Sequence, residues 1–379
     1  MPDARPLRVH ALVDSLGFGG AELLVADFAR VAPTAGIELS VGALHEGEVS
    51  AAAARLQAAG IEPVVVPVRS LWRRSDVRRV REHLETVGPD LLHTHLGYAD
   101  VLGGLAARGI GLPSVSTIHA DWWGGTRRER VKARLMALAR RRCATRVIAV
   151  SESARNIYLE RGWDRPERVV VVRNGIAAEP LPGTGPAVRA ELGIGPDELL
   201  AVMVSRLGPE KAHDVAIDAV ALARRRHPQL RLLIVGDGEL RRDVERRAAA
   251  LGGAAIVAGH RDDVMEILDA ADLLLHPSRF DAFPTALLEA MAASVPILSS
   301  ATGGIVEIVD AEETGILVDA PPRAEAVARE LERLIVDPEL RQRLAAAGRE
   351  RFLASFQAEA WAARTRLVYD EVLADTVNP

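Results

Sequence analysis

The chain has 379 residues, of which 49% are hydrophobic, and its formal net charge is −5. This length predicts two domains. The negative net charge argues against a nucleic-acid-binding protein, and the single cysteine, Cys143, excludes an internal disulfide and fits a reducing compartment. No apolar run reaches the roughly 18 residues of a membrane-spanning helix, and the N-terminal stretch lacks the apolar core of a secretory signal. We therefore expect a cytoplasmic protein.

The charge is distributed unevenly along the chain. Residues 1–180 hold 25 Lys and Arg against 20 Asp and Glu, whereas residues 181–379 hold 22 against 32. The basic excess is concentrated in 69–81 and 127–146, and the second run is typical of an amphipathic helix. Its apolar face holds Val131, Leu135, Leu138 and Ala139. A solvated helix face is the simpler interpretation, and the alternative is a peripheral contact with an anionic membrane or a phosphorylated acceptor.

The first half of the chain alternates short apolar runs with helical stretches. It opens with the strand LRVHALVD, the loop SLGFGGAE and the helix LLVADFARVA. Further strands are predicted at ELSVGAL, PVVVPV, DLLHTH, PSVSTIH, RVIAVS and RVVVVRNG. Apolar runs of this kind are typical of parallel strands buried on both faces. We therefore predict a Rossmann-like α/β domain over residues 1–178.

A stretch rich in Pro and Gly predicts a linker over 179–197. The pattern then restarts with the strand LLAVMVS, the loop RLGPEKAHD and the helix VAIDAVALARRR, and we assign a second Rossmann-like domain to residues 198–361. The last stretch, 338–376, is predicted to be helical, with apolar anchors at Trp361, Leu367, Tyr369 and Val372. Ligands of open parallel sheets bind at the carboxyl ends of the strands, so two such sheets predict a site in the cleft between domains.

Two carboxylates stand eight positions apart in the second domain. Asp281 lies in a loop just after the apolar strand 273–275, and Glu289 lies inside the helix that follows. Pro284 suits the first turn of that helix, because its missing N–H would have no partner there. The free N–H groups of a helix start favour phosphate, and carboxylates favour the hydroxyls of a sugar or ribose. The segment therefore predicts a nucleotide-sugar site.

Two cations follow the first strand of the second domain. Arg206 and Lys211 could both reach a diphosphate and stabilise the charge that develops as it leaves. The alternative is a pair of surface cations. Lys132 and Lys211 are the only lysines in the chain, beside 45 arginines. A lysine in so arginine-rich a chain favours a specific requirement for an ammonium group at position 211.

Two loops of the second domain provide weaker candidates. Gly236, in the loop VGDGE, permits a tight turn close to a ligand, although a plain strand-to-helix turn is the simpler interpretation. The backbone of Gly259 to Arg261 could hydrogen-bond the edge of a base.

The first domain adds candidates at its own strand ends. Gly19, Gly20 and Glu22 open a helix after the first strand, so free N–H groups would face the site. His119 ends a strand and could hydrogen-bond a sugar hydroxyl, or it could be structural. The remaining candidates each have a plain alternative: Asn174 could be only a turn residue, and Trp122 and Trp123 could stack on an acceptor or pack inside the domain.

Together these motifs resemble family 4 of the retaining glycosyltransferases, which has the GT-B fold of two Rossmann-like domains facing across a cleft. The resemblance spans nearly the whole chain, in order. It rests on GGAE at 19–22, His119, VSES at 150–153, RNGI at 173–176, SRLGPEK at 205–211, VGDG at 235–238, the carboxylate segment and GGIVEIV at 303–309.

The resemblance implies a role for each candidate of the second domain. Arg206 and Lys211 would hold the diphosphate, and Glu289 would bind the ribose hydroxyls. Asp281 would hold hydroxyls of the transferred sugar. Backbone groups of the next four residues would help Asp281 to hold the sugar: Ala282, Phe283, Pro284 and Thr285. Gly236 and Arg261 would complete the donor site.

In the first domain, the resemblance implies that His119 touches the sugar near its 6-position and that Asn174 contributes to the donor site. Gly19 and Gly20 would line the diphosphate and the acceptor side. The acceptor would meet Glu22, Trp122 and Trp123. The C-terminal helix, at about 362–379, would cross back onto the first domain.

Two residues depart from the family pattern. The family usually has Glu at the first carboxylate, where this chain has Asp281, so the charge is retracted by one methylene. Ser294 stands where the family commonly has glycine, before Val295 and Pro296. The first departure is where we expect the donor or the geometry of this protein to differ.

The resemblance predicts transfer of a hexosyl group, with retention, from a nucleotide-diphosphate sugar to a hydroxyl of a sugar, lipid-linked or natural-product acceptor. UDP-sugar is favoured over GDP-sugar, and neither a metal nor a cofactor is expected. Two alternatives stay open: a nucleotide-sugar 2-epimerase on the same fold, and a non-catalytic nucleotide-sugar-binding protein with a weakened first carboxylate. A pyridoxal-phosphate phosphorylase would need a Schiff-base lysine, and neither lysine lies in a suitable context.

Overall fold

The structure is a computed structural model that describes residues 5–17, 20–45, 51–70, 73–119 and 127–377. The chain forms two units. The first consists of Met1–Ala177 together with Ala358–Pro379, and the second consists of Ala178–Gln357.

The described strands of the first unit form one parallel sheet. They are β1 Leu7–Val13, β2 Ile37–Ala43, β3 Val64–Val65, β4 Leu91–His95, β5 Ser114–Ile118, β6 Arg146–Ala149 and β7 Val169–Val171. The strand order is β3-β2-β1-β4-β5-β6-β7, so it reverses between β1 and β4. Such a reversal opens a crevice at the carboxyl ends of the strands.

Helices cover both faces of this sheet. They are α1 Gly20–Val31, α2 Ala51–Ala58, α3 Arg74–Val87, α4 Gly97–Gly109, α5 Arg127–Cys143 and α6 Glu152–Glu160. Successive residues of β1 point to opposite faces: Ala11 and Val13 pack with α1 and α2, and Leu12 packs with α3 and α4. Burial on both faces explains the continuous apolar runs of these strands.

The second unit repeats this plan. Its parallel strands are β8 Leu199–Val204, β9 Leu230–Val235, β10 Ala255–Gly259, β11 Leu273–His276, β12 Ile297–Ser300 and β13 Ile316–Val318, in the order β10-β9-β8-β11-β12-β13. Its helices are α7 Gly185–Glu191, α8 His213–Ala223, α9 Arg241–Ala249, α10 Val264–Ala270, α11 Thr285–Ala292, α12 Ile305–Ile308, α13 Ala324–Val336 and α14 Pro338–Ser355. The strand order reverses between β8 and β11.

The stretch predicted as a linker, 179–197, contains α7, which is anchored on the second unit. The N–H of Gly185 donates to Asp269 Oδ2 at 2.6 Å, and Arg189 Nη1 donates to the carbonyl of Ala270 at 2.8 Å. Of the Pro and Gly residues that suggested a linker, Gly185 and Pro186 open this short helix and the others flank it. Composition therefore did not predict the helix in this stretch.

The C-terminal helix, α15 Ala358–Val377, belongs to the first unit. The Trp361 ring lies 5.0 Å from the Phe28 ring, and Arg366 Nη1 donates to the carbonyl of Ala35 at 3.0 Å. The prediction of Leu367 as an apolar anchor is wrong, because its side chain is 63% exposed and the neighbouring Val368 is buried instead. Within the described ranges, no helix combines the length and the apolar character needed to cross a membrane.

Candidate active site

The loops that follow β8 and β11 lie side by side, because these strands are neighbours at the reversal of strand order in the second sheet. The loop after β8 carries Arg206 and Lys211, and the loop after β11 carries Asp281. The N–H of Arg279 donates to the carbonyl of Glu210 at 2.7 Å, which joins the two loops. The predicted phosphate-binding cations and the predicted sugar-binding carboxylate therefore meet at one sheet edge.

Asp281 is a buried carboxylate with two donors on one oxygen. Lys211 Nζ forms an ion pair with Asp281 Oδ2, and His276 Nε2 lies 3.1 Å from the same atom. Burial alone would raise the pKa of Asp281, but the charge of Lys211 and the hydrogen bond from His276 outweigh it and lower the pKa to about 2. The carboxylate is therefore ionised, and Lys211 and His276 fix its orientation.

No motif in the sequence singled out His276, which ends β11 and is 1% exposed. Burial lowers its pKa despite the hydrogen bond to Asp281, so the ring is neutral near pH 7. A neutral ring that donates from Nε2 leaves Nδ1 as an acceptor, and Nδ1 has no partner among the described residues. Ser278 Oγ lies 3.0 Å from Nε2. The strand-end position, which drew attention to His119, could also have found His276.

Arg206 is half-exposed beside the pair formed by Lys211 and Asp281. Its Nη2 lies 2.5 Å from Glu210 Oε1, and its Nη1 lies 3.7 Å from Glu239 Oε1. Glu210 is itself buried, at 6% exposure. Acidic neighbours therefore hold the Arg206 guanidinium in place, and it remains accessible to an anion.

Two glycines let the site loops approach one another. A Cβ on Gly236, whose φ is +133°, would lie 1.9 Å from the carbonyl oxygen of Ser205. A Cβ on Gly303, whose φ is +54°, would lie 1.9 Å from the carbonyl oxygen of Asp281. The missing side chain of Gly236 therefore permits this backbone contact, and its contact with a ligand stays a prediction. Both residues fix loop geometry around the carboxylate.

The helix start predicted beside Asp281 is present. Helix α11 begins at Thr285, so Pro284 precedes the first helical residue instead of lying within the first turn. Ala282 and Phe283 are buried, and the Phe283 ring lies 6.0 Å from the Phe356 ring. Thr285 and Glu289 lie four residues apart on the partly exposed face of the helix, whereas the residues between them are buried. This face can meet a ligand.

The side chain of Arg261 is committed within the second unit. Its guanidinium donates to Glu191 at 2.5 Å and to Asp263 at 2.6 Å. Hydrogen bonds with these two carboxylates raise the pKa of Arg261 above its ordinary value. A donor contact at this position would have to come from the backbone, and that contact stays a prediction.

His119 follows β5 in the first unit and continues a row of histidines formed by His93 and His95 of β4. His95 Nδ1 and His119 Nε2 are 2.8 Å apart, and His93 is hydrogen-bonded to Tyr369 of α15 at 2.6 Å. Burial lowers the pKa of His93 to about 3, and those of His95 and His119 well below the ordinary value. His119 Nδ1 has no partner among the described residues. The row is therefore neutral and ends in a buried ring nitrogen.

Asn174 lies in the same region as this histidine row. It lines a cavity of about 20 Å³ together with His93, His95, His119 and Trp361. Asn174 is 3% exposed, so it is a buried polar residue of the first unit and not a surface turn residue. His119 and Asn174 thus line one cavity, and the contact of either residue with a donor stays a prediction.

The acceptor candidates are only partly described. Glu22 is buried in the first turn of α1, and burial raises its pKa despite a hydrogen bond with its own backbone. Gly20 is the exposed first residue of α1. Gly19, Trp122 and Trp123 lie outside the described residues. Within the described ranges, no group of three or more His, Cys, Asp or Glu side chains is arranged to hold a metal ion.

The family models match both halves of the chain. The model described as Glycosyltransferase Family 4 matches residues 18–179, and the model described as Glycosyl transferases group 1 matches residues 186–351.

Named relatives support the same family. A UDP-Gal:alpha-D-GlcNAc-diphosphoundecaprenol alpha-1,3-galactosyltransferase of Escherichia coli is 29% identical, over 61% of this chain and 62% of its own length. Glycogen synthase of Mycobacterium tuberculosis is 32% identical, over 74% of this chain and 68% of its own length. The chain thus spans about two thirds of the length of these relatives.

Among solved structures, Anabaena Alr3699/HepE in complex with UDP and glucose superposes with a TM-score of 0.85. It is 23% identical, and the match covers 96% of this chain and all of that one. The predicted GT-B fold, with its two parallel-sheet domains, is confirmed. The chain belongs to glycosyltransferase family 4 and is a glycosyltransferase.

Proposed function

We propose that this enzyme transfers a hexosyl group from a nucleotide-diphosphate sugar, UDP-sugar in preference to GDP-sugar, to a hydroxyl acceptor with retention of configuration. The observation that carries the proposal is the environment of Asp281. It is a buried carboxylate held ionised by Lys211 and His276 beside the start of α11. An ionised, oriented carboxylate accepts hydrogen bonds from sugar hydroxyls without first losing a proton.

The names of similar proteins support UDP as the nucleotide. The Escherichia coli relative is named for a UDP-galactose donor, and Alr3699/HepE was solved with UDP and glucose and with UDP-glucose. The acceptor would be a hydroxyl of a sugar, lipid-linked or natural-product molecule.

Lys211 would act on two groups. It neutralises Asp281, and it places a positive charge where the negative charge of a leaving diphosphate develops. Arg206, which is exposed beside it, would take the outer phosphate. The free N–H groups at the start of α11 would add to this positive environment.

Retention would follow from reaction on one face of the sugar. The bond from the anomeric carbon to the diphosphate oxygen breaks, the bond to the acceptor oxygen forms on the same face, and the acceptor proton passes to the leaving phosphate. Asp281 fits hydrogen-bond acceptance better than nucleophilic attack, because two donors already bind its Oδ2. The protein then contributes position and charge. NMR of the new anomeric centre tests this proposal, and an inverted product would contradict it.

The proposed reaction needs no metal, since Lys211 and Arg206 supply the positive charge that a divalent cation would otherwise bring to the diphosphate. We expect initial rates to be unchanged after incubation with EDTA and after later addition of Mg²⁺ or Mn²⁺. A rate that disappears with EDTA and returns with either ion would overturn metal independence.

Thermal-shift measurements with UDP-, GDP-, ADP- and dTDP-sugars test the donor. A ligand at 100 times its Kd stabilises the folded state by about 2.7 kcal/mol, so the true donor raises Tm measurably. Glu289→Ala should abolish the shift caused by the donor, and the exposed Glu325→Ala is the matched control that keeps it. Equal shifts in both variants would show that Glu289 is not part of the donor site.

Incubation of the enzyme with the stabilising donor alone separates a transferase from an epimerase. A transferase leaves the donor sugar intact or hydrolyses it slowly, whereas a 2-epimerase converts it to the epimer without any acceptor. Accumulation of epimer would contradict the proposed function.

A further inference from the structure

Helix α5 presents an apolar stripe to solvent. Val131, Leu135 and Leu138 are 53%, 39% and 40% exposed, and their spacing of four and three residues places them on one side of the helix. The opposite side docks on the first unit through Ala133 and Met136, which are 1% and 9% exposed. The stripe is therefore additional to the face that the fold needs.

Basic side chains surround this stripe. The exposed ones are Arg127, Arg130, Lys132, Arg134, Arg141 and Arg142. Arg140 differs, because it is buried in an ion pair with Asp100 at 2.7 Å. Arg130, Arg134 and Arg141 have no carboxylate partner among the residues that the structure describes. Their charges are therefore available to an external anionic surface.

An aromatic residue extends the apolar stripe. Trp163, in the segment after α6, lines a groove of about 450 Å³ together with Val131, Leu135 and Leu138, and Arg134 and Arg141 also line it. The Arg161 guanidinium lies 5.1 Å from the Trp163 ring centre. Trp with flanking Arg is the composition found at the boundary between lipid headgroups and acyl chains.

Among its described residues, the other basic run, 69–81, lacks this combination. Val80 and Leu84 of α3 are buried, at 0% and 1% exposure. Arg78 pairs with Glu82 at 2.8 Å, and Arg79 lies 3.6 Å from Asp76. The described part of this run therefore has the character of a solvated face. Within the described residues of the two runs, only α5 joins free positive charge to exposed apolar side chains.

We propose that the stripe Val131, Leu135, Leu138 and Trp163, with its flanking arginines, is a contact surface for an anionic lipid bilayer. Negative headgroups complement the arginines, and the acyl boundary takes up the apolar side chains. A soluble polyanion would satisfy the charges but would leave the leucines and the tryptophan in water. The proposal stands independently of the donor site.

Co-sedimentation of the full chain with vesicles tests this surface. We expect binding to phosphatidylcholine vesicles that contain phosphatidylglycerol, weaker binding as salt is raised, and none to phosphatidylcholine alone. Leu135→Ser with Leu138→Ser should weaken binding to the anionic vesicles by about tenfold or more, because the apolar area is lost. Leu353→Ser with Leu367→Ser, two leucines that are 44% and 63% exposed elsewhere, is the matched control that should bind as wild type.

Two double variants that each remove two positive charges complete the test. Arg130→Gln with Arg134→Gln should weaken binding by about tenfold or more at low salt, whereas Arg74→Gln with Arg78→Gln, which removes the same charge from α3, should change it little. Thermal denaturation should show all four variants folded, since every substituted side chain is exposed. Absence of binding to anionic vesicles would overturn the proposal. Binding that needs the arginines but not Leu135 and Leu138 would also overturn it, and would assign the surface to a soluble polyanion.

Discussion

The strand ends of the two sheets hold buried polar side chains in different ways. In the first unit, His93, His95 and His119 form a row that burial keeps neutral. In the second unit, Lys211 and His276 converge on Asp281, which stays ionised in spite of burial. The neutral row relies on ring-to-ring and ring-to-hydroxyl hydrogen bonds, whereas the second cluster relies on compensated charge. Charge is needed where a diphosphate would leave, and a neutral row is sufficient where only hydroxyls would be met.

The largest effect should come from removing the charge compensation. Lys211→Ala leaves Asp281 buried with His276 as its remaining side-chain donor among the described residues, and it removes the cation proposed for the leaving diphosphate. We expect kcat/KM to fall by about 100- to 1,000-fold. Steady-state kinetics measure it, with the surface cation variant Arg329→Ala as control. A near-wild-type kcat/KM in Lys211→Ala would show that the cluster of Lys211, His276 and Asp281 is not part of the active site.

The second-largest effect should be a loss of stability on acidification, because the first unit buries neutral histidines. Unfolded histidines bind protons near pH 6.5, but the pKa of buried His93 is about 3 and that of buried His10, also in the first unit, is about 3. Below pH 6.5 the unfolded state therefore binds more protons, and each such histidine costs about 2 kcal/mol of stability at pH 5.

The lowered pKa of Asp281 acts in a different window. Its stabilising effect is present above the unfolded pKa near 4 and is lost only as the pH falls towards 2. Hydrogen exchange at pH 7 and pH 5 should therefore show protection lost first around β4 and β5. His93→Gln should flatten the pH dependence of Tm, and His260→Gln, at an exposed histidine, should not. An equal loss of hydrogen-exchange protection around Asp281 at pH 5 would contradict the proposed difference between the histidine row and the Asp281 cluster.

The third-largest effect should come from lengthening the side chain at position 281. Its side chain is held by Lys211 and His276, and its own carbonyl lies against Gly303. Asp281→Glu adds a methylene to a closed site, and we expect it to cost about 1–3 kcal/mol of stability and to lower kcat/KM. Denaturation and kinetics measured together check this. Unchanged kcat/KM would show that the short arm is incidental.

His276 should have the smallest effect of the four. His276→Leu removes one donor to an ionised carboxylate that Lys211 still holds, so we expect kcat/KM to fall by about tenfold. The loss should also raise the pKa of Asp281 and move the acid limb of the kcat/KM profile upward. His276→Asn, which restores a donor, should recover part of the activity. If the acid limb of the kcat/KM profile does not move in His276→Leu, His276 contributes only to packing.

The fold was predictable because each element carries its own pattern. Parallel strands buried on both faces appear as apolar runs, and Asp281 and Glu289 lie in the loop and the helix that their neighbours indicated. The contact of Lys211 with Asp281 was not predictable from spacing, because 70 residues separate them and strand order alone brings them together. Leu367 was misassigned because helical periodicity does not show which side of α15 meets the domain.

The placement of α15 has a consequence for synthesis. Tyr369, which is fully buried and hydrogen-bonded to His93, is translated only after the whole second unit. The first unit therefore cannot complete its interior until the whole second unit has been made, although nearly all of its sequence is translated first. Until then the side chains that await Trp361 and Tyr369 stay uncovered on the nascent chain, and a translation product that stops before α15 leaves the earlier unit, not the later one, unfinished.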